Sequence, residues 1–223
     1  MRPASLLVAA CLGASGLTGL AAQPLSQPPA ALAEALQQRY DRIKDFSADF
    51  VHTYVGGVLK TRVTESGRVL VKKPGMMRWE YKTPEEKLFV SDGLKIYSYV
   101  PADKQVMVGS LPAEDRATTP ILFLAGKGSL TRDFTVLPAE PPPGLPAGTQ
   151  ALKLTPKEAQ ADYDWLVLSV EPGTLRLRGL TTIDAQGGTS IFSFANLKEN
   201  IGLADKTFEF KIPRGVDIVT ASR

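Results

Sequence analysis

One cysteine, Cys11, and one histidine, His52, are all that the 223 residues hold of either type. Cys11 lies in an N-terminal stretch with the features of an export signal. Once that stretch is removed, disulfides, thiol catalysis and cysteine-ligated zinc are excluded together. A single histidine cannot build a multi-histidine metal site, and no pattern brings Ser, His and Asp together; His52, in strand register with Phe50 and Tyr54, reads as a structural residue. Charge of one sign is also lacking. The 26 basic and 23 acidic side chains leave a net charge of +3, spread without the block or arm that marks a nucleic-acid binder. No apolar run is long enough to span a bilayer as a helix. An exported domain without disulfides must be held by its own core.

The export reading rests on Met1-Arg2 as a short positive start, an apolar run from Leu6 to Leu12, and a small-x-small cleavage site at Gly19-Leu20-Ala21. It divides the chain into a signal peptide over 1–21 and one domain over 22–223. A second reading takes Val8-Ala9-Ala10-Cys11 as a lipobox, with Cys11 acylated, although the apolar run before it is short for that role. At 24.0 kDa with 43% hydrophobic residues, the chain has the length for one sizeable core and is short for two.

Beyond a Pro-rich lead at Gln23–Pro29, the spacing of Leu32, Leu36, Tyr40 and Ile43 predicts an amphipathic helix entered through Pro28-Pro29. From Phe46 the period changes to two. Strands are predicted over 46–54, 61–72, 76–81, 87–91, 94–100, 105–109, 134–137, 151–155, 165–171, 175–183, 189–197 and 207–212. Ser91-Asp92-Gly93, Glu171-Pro172-Gly173-Thr174 and Gln186-Gly187-Gly188 supply hairpin turns. Thr119 to Gly126 predicts a short second helix, opened by Pro120, and the "PPPG" of 138–148 a stiff loop. So many consecutive antiparallel strands imply one large curved sheet or barrel, apolar on one side. Two helices are few for covering that side. In period two, Met77, Trp79 and Tyr81 share a face; Leu88 and Val90 are assigned to the apolar face, as are Leu166, Leu168 and Val170 and, last, Phe208, Phe210 and Ile212.

Reactive motifs are weak. Gly126-Lys127-Gly128-Ser129 fails as a phosphate loop, because Ile121 stands where the first glycine belongs and Gly128 where Ser or Thr is required. Glu85-Glu86 and Asp162-Tyr163-Asp164 read as solvated charge in polar turns. The absence of a reacting constellation favours binding. Met76-Met77, at a strand entrance after Lys73-Pro74-Gly75, and Ile121-Leu122-Phe123-Leu124, apolar nearly all round, fit either a core or a surface that meets a ligand.

Taken in order, Phe46-Ser47-Ala48-Asp49-Phe50, "VKKPGMMRWEYKTPEE", "LFVSDGLKIYSYVP", "TPILFLAG", "LKLTPK", Asp184 to Gly188 and "FEFKIPRGVDIV" resemble the LolA family of periplasmic lipoprotein carriers over most of the mature chain. The resemblance implies a mainly β (α+β) fold, an unclosed antiparallel β-barrel with helices forming a lid over a hydrophobic cavity. It implies a monomeric carrier without cofactor, metal or catalytic residue. Such a carrier takes acylated lipoproteins from an inner-membrane ABC transporter and passes them, across the periplasm, to an outer-membrane acceptor such as LolB. Met77, Trp79, Tyr81, Leu88, Val90, Leu166 and Leu168 are then expected to line the cavity, and Leu122, Phe123 and Leu124 to belong to the lid. Lys73 stands where the family often has an Arg that holds the lid shut, and His52 where it often has Gln; an ammonium in place of a planar fork changes how closure is made. Two other functions fit the same scaffold: a lipid-sensing module that reports to a membrane partner, and a hydrolase of acylated substrates with Ser91 or Ser98 as nucleophile.

Overall fold

A computed structural model describes residues 28–111, 124–160, 163–184 and 186–220. The signal stretch with Cys11, the lid residues Leu122 and Phe123, and Asp162 lie outside the described residues. Helix α1 (Pro29–Arg42) opens with Pro29 in its first turn and buries Leu32, Ala33 and Leu36, the stripe that the apolar spacing predicts. After it come β1 (Asp45–Val55), β2 (Arg62–Lys72), β3 (Met76–Thr83), β4 (Lys87–Asp92), β5 (Lys95–Val100) and β6 (Gln105–Ser110). The short α2 (Leu130–Asp133) precedes β7 (Phe134–Ala139), β8 (Gln150–Pro156), β9 (Trp165–Val170), β10 (Leu177–Ile183), β11 (Thr189–Glu199) and β12 (Asp217–Thr220).

All twelve strands join in one sheet, in the order β12-β6-β5-β4-β3-β2-β1-β11-β10-β9-β8-β7. The end strands β12 and β7 do not pair, so the sheet is unclosed. Every pairing is antiparallel except that of β12 with β6. The concave face carries the core: Phe46, Phe50, Val69, Val71, Met77, Trp79, Leu152, Leu154, Leu166, Leu168, Leu180, Phe192 and Phe194 are buried together with the inner stripe of α1. Five rings, Phe50, Trp79, Tyr81, Phe192 and Phe194, form its centre, the closest pair being Phe50 and Tyr81 at 4.8 Å.

Two expectations need correction. Residues 207–212 are not a strand: a single 3-10 turn, Asp205–Phe208, leads into extended chain, and the last strand is β12. Phe208 and Phe210 alternate because they lie across the convex face of the sheet, where Phe210 packs on Tyr97 and Tyr99 and Phe208 is 1% exposed. Alternation there reports burial against a surface and not a ladder partner. The second correction adds α2, which is too short to show a period. Its cap is present in the sequence, since the Ser129 side chain accepts from the Arg132 amide and Asp133 accepts from the Ser129 amide at 2.7 Å.

The C-terminal segment is anchored by one carboxylate. Buried Asp45 accepts from the amides of Ile201 at 2.7 Å, Gly202 at 3.1 Å and Leu203 at 3.3 Å, and its own carbonyl accepts from Asn200. These are charge-assisted bonds in a water-poor site, stronger than neutral ones. Asp45→Ala is therefore expected to cost about 3 kcal/mol in urea unfolding, and to raise amide exchange first over residues 200–210.

Candidate functional site

Cross-strand register decides which side chains face the interior, since directly paired residues share a face. Ala48 pairs with Val69, Val69 with Trp79, Trp79 with Phe89, Phe89 with Ser98 and Ser98 with Met107. This row runs along the concave face from β1 to β6, and its exposure rises outward: Trp79 is 1% exposed, Phe89 36% and Met107 46%. The core thus continues into a partly exposed surface, apolar at Phe89 and Met107 with Ser98 between them.

Of the expected lining residues, Met77, Trp79, Tyr81, Leu166 and Leu168 are buried in the concave core. Leu88 and Val90 are not on this face. They pair with Glu80 and Arg78, and with Tyr99 and Tyr97, which places them on the convex side under the C-terminal segment. The register that carries Trp79 inward carries Phe89 inward with it, a position that sequence reasoning misses, and also Ser98, named from the sequence only as a possible nucleophile. Lys-Leu-Phe-Val-Ser has apolar residues at both parities, with Val90 buried on the convex side and Phe89 partly exposed on the concave side, so its alternation is ambiguous. Ser91 is also inward, but its hydroxyl donates to the Gly75 carbonyl at 2.7 Å and accepts from the Gly93 amide, a turn-bracing role.

Over the concave face lie α1, Leu124, Ala125 and α2. Leu36, Tyr40, Leu124, Leu130, Leu168 and Leu177 surround an apolar void of about 30 Å³, room for roughly one water molecule. Three contacts tie this cover together. The Tyr40 hydroxyl donates to the Leu124 carbonyl, Gln37 Oε1 accepts from the Leu130 amide at 2.7 Å, and the Gly75 amide donates to the Ala125 carbonyl at 2.9 Å. Lys73 stands at their junction. Its Nζ donates to the Tyr40 carbonyl and sits 3.2 Å from the Tyr40 ring centroid, a hydrogen bond and a cation–π contact on one residue. Gly126 has φ +84°, and a side chain there would meet the Lys73 stem at 2.7 Å; glycine is required on both counts.

Toward the far end of the same face the chemistry turns polar. Glu65 takes Lys87 Nζ at 2.5 Å and lies 3.3 Å from His52 Nδ1, while the His52 ring stacks on Phe192 at 4.1 Å. Burial lowers the His52 pKa from its ordinary 6.5, with Glu65 opposing, so the ring is neutral at pH 7. It is a structural residue, as its isolation in the sequence suggests. Among the described residues no group of three or more His, Cys, Asp or Glu side chains can hold a metal, and no helix is long and apolar enough to cross a membrane.

An open apolar sheet face under a small polar-tied cover is the architecture of a binding protein for extended hydrophobic ligands. The sequence comparisons give the family. The profile of the outer membrane lipoprotein carrier protein LolA matches residues 41–211. An outer-membrane lipoprotein carrier protein of Bordetella avium is 31% identical over 198 residues, covering 86% of this chain and 90% of its own. One from Methylococcus capsulatus is 29% identical over 200 residues, covering 90% and 91%. The chain belongs to the LolA family. The fold alone is also shared with an uncharacterized conserved protein from Thermus thermophilus, at 11% identity and a TM-score of 0.51, over 86% of this chain and 99% of that one.

Burial pulls the Lys73 ammonium down from its ordinary 10.5 to about 8, with Asp41 opposing. The folded protein therefore releases this proton at lower pH than the unfolded chain does. Stability from this group is flat below about pH 8 and rises with pH between there and 10.5. Urea titrations at about pH 7 and about pH 9.5 are expected to show a gain for the wild type that Lys73→Met lacks; equal pH responses would show that the amine titrates normally.

Proposed function

We propose that this protein is a periplasmic carrier that takes acylated lipoproteins from an inner-membrane ABC transporter, shields their acyl chains, and delivers them to an outer-membrane acceptor of the LolB type. In this reading residues 1–21 are a signal peptide removed on export, and 22–223 form a single monomeric carrier domain that performs no covalent step. The observation that carries the reading is the row from Trp79 through Phe89 to Met107, an apolar strip that begins in the core and ends in solvent.

The energetics fit a carrier. Each acyl chain of roughly fifteen methylenes exposed to water costs about 12 kcal/mol, which makes unassisted crossing negligible. Leu32, Leu36, Ile43, Leu124 and Leu130 together are worth about 8–15 kcal/mol when buried, so the cover and one acyl chain stabilise the concave face to a similar extent. Cargo enters by displacing the cover, because among the described residues the void beneath it, about 30 Å³, is too small for an acyl chain. Met77, Trp79, Tyr81, Leu166 and Leu168 then serve as the acyl-chain lining, and Phe89 and Met107, in place of Leu88 and Val90, form its entrance. Leu122 and Phe123 join Leu124 as the cover's apolar surface. Lys73 holds the closed state through Tyr40, with one donor and one ring contact where an arginine would offer a fork.

Radiolabelled lipoprotein held in membrane vesicles that bear the transporter tests this. Wild-type protein is expected to bring the lipoprotein into the soluble fraction. Phe89→Asp/Met107→Asp, which alters only half-exposed positions and leaves the circular dichroism unchanged, is expected to reduce release at least tenfold. Wild-type release by that variant, or none by the wild type, would refute the carrier reading.

A further inference from the structure

The β1–β2 hairpin ends in Gly56-Gly57-Val58-Leu59-Lys60-Thr61-Arg62. Val58 is 86% exposed and Leu59 82%, more than any other large apolar residue described. A lone exposed leucine such as Leu94, at the opposite end of the sheet, is ordinary. Two adjacent aliphatic side chains at the apex of an ordered turn are not. The turn is fixed by the Gly56 amide on the Thr61 carbonyl at 2.9 Å and the Lys60 amide on the Gly56 carbonyl at 3.2 Å. Its base rests on the β10–β11 turn so closely that a side chain at Gly57 would overlap the Gln186 carbonyl. These contacts hold the pair outward.

The hairpin also projects. Residues 62–65 of β2 pair with β1 but not with β3, whose pairing begins at Ser66. Four residues of strand, roughly 13 Å, carry the hairpin past the last β2–β3 pair, Ser66 with Thr83. Within 54–63 the only charges are the exposed cations Lys60 and Arg62, which make no ion pair among the described residues. Opposing charges at this end of the sheet are set back or engaged. Glu85 and Glu86 sit in the β3–β4 turn. Asp184, at the hairpin's base, accepts from the Gln186 and Gly188 amides, and Glu65 is paired with Lys87. Below the cations, Tyr54 and Val63 pair directly and are 38% and 47% exposed. Aliphatic apex, basic collar and then a tyrosine is the vertical order of a bilayer's acyl region and headgroup layer.

We propose that the Val58-Leu59 apex inserts shallowly and reversibly into the surface of an anionic phospholipid bilayer, with Lys60 and Arg62 on the lipid phosphates. A protein partner is disfavoured because the apex is convex and carries no groove or aromatic anchor. Insertion would bring the end of the concave face that carries His52, Glu65 and Lys87 against the membrane, beside the bilayer from which or to which a hydrophobic ligand moves. The proposal stands on the hairpin and does not require that the ligand be a lipoprotein.

Flotation of the exported protein with vesicles tests it, using phosphatidylglycerol–phosphatidylcholine mixtures against phosphatidylcholine alone. Uptake of a fluorescent fatty acid by each variant serves as a separate readout of the interior. Wild-type protein is expected to float with the anionic vesicles. Val58→Asp/Leu59→Asp is expected to partition at least tenfold less, and Lys60→Glu/Arg62→Glu to lose the anionic preference by about tenfold, both with unchanged fatty-acid uptake. Equal flotation of the aspartate variant, or no flotation of the wild type, overturns the proposal. So does a variant whose only defect is transfer to a purified protein acceptor. Loss of fatty-acid uptake by the wild type would count against the carrier reading instead and leave the hairpin result to stand by itself.

Discussion

The concave face of an unclosed sheet cannot hide itself. Twelve strands in one curved layer bring Phe46, Phe50, Val69, Trp79, Leu168 and Phe192 to a common surface, and with β7 and β12 unpaired the layer does not wrap shut around it. Some other group has to exclude water from that surface. Among the described residues the work falls to helix α1, Leu124-Ala125 and a single turn at α2.

In the proposed carrier, the described apolar contacts of the cover compare in size with those of a single hydrocarbon chain, so cover and cargo compete for the face. The polar ties among Tyr40, Lys73, Gln37 and residues 124–130 bias the balance without fixing it. Each uses a backbone carbonyl or amide as one partner, and such groups find water readily when released, so opening strands few of them unsatisfied. Closure is thus specific in geometry and modest in strength. The half-buried Lys73 ammonium makes the same point from the other side, because partial burial lowers its proton affinity.

Much of this is legible in the sequence, because helix α1 and eleven of the strands announce themselves by periodicity and turn residues. The stripe Leu32, Leu36, Tyr40 and the alternation about Trp79 need no tertiary information. Faces are harder. Leu88, Phe89 and Val90 are apolar at both parities, and only the register of β3 with β4 shows that Leu88 and Val90 point to the side opposite Trp79 and Tyr81. Phe208 and Phe210 mislead in the same way, since burial across a sheet and burial within one leave the same period-two trace. A lid-closing role for Lys73 comes from resemblance; its actual partners, the carbonyl and ring of Tyr40, lie 33 residues away in sequence and have no local signature.

The aromatic strap across the convex side has a mechanical meaning. Phe208, Phe210, Tyr97, Tyr99, Val90 and Val106 give β3 to β6 a second dry layer behind the wall that carries Trp79 and Phe89. For the proposed carrier, a wall backed in this way resists bowing, so volume for a guest comes from moving the front panel, and the shape presented to successive guests stays the same from one loading to the next.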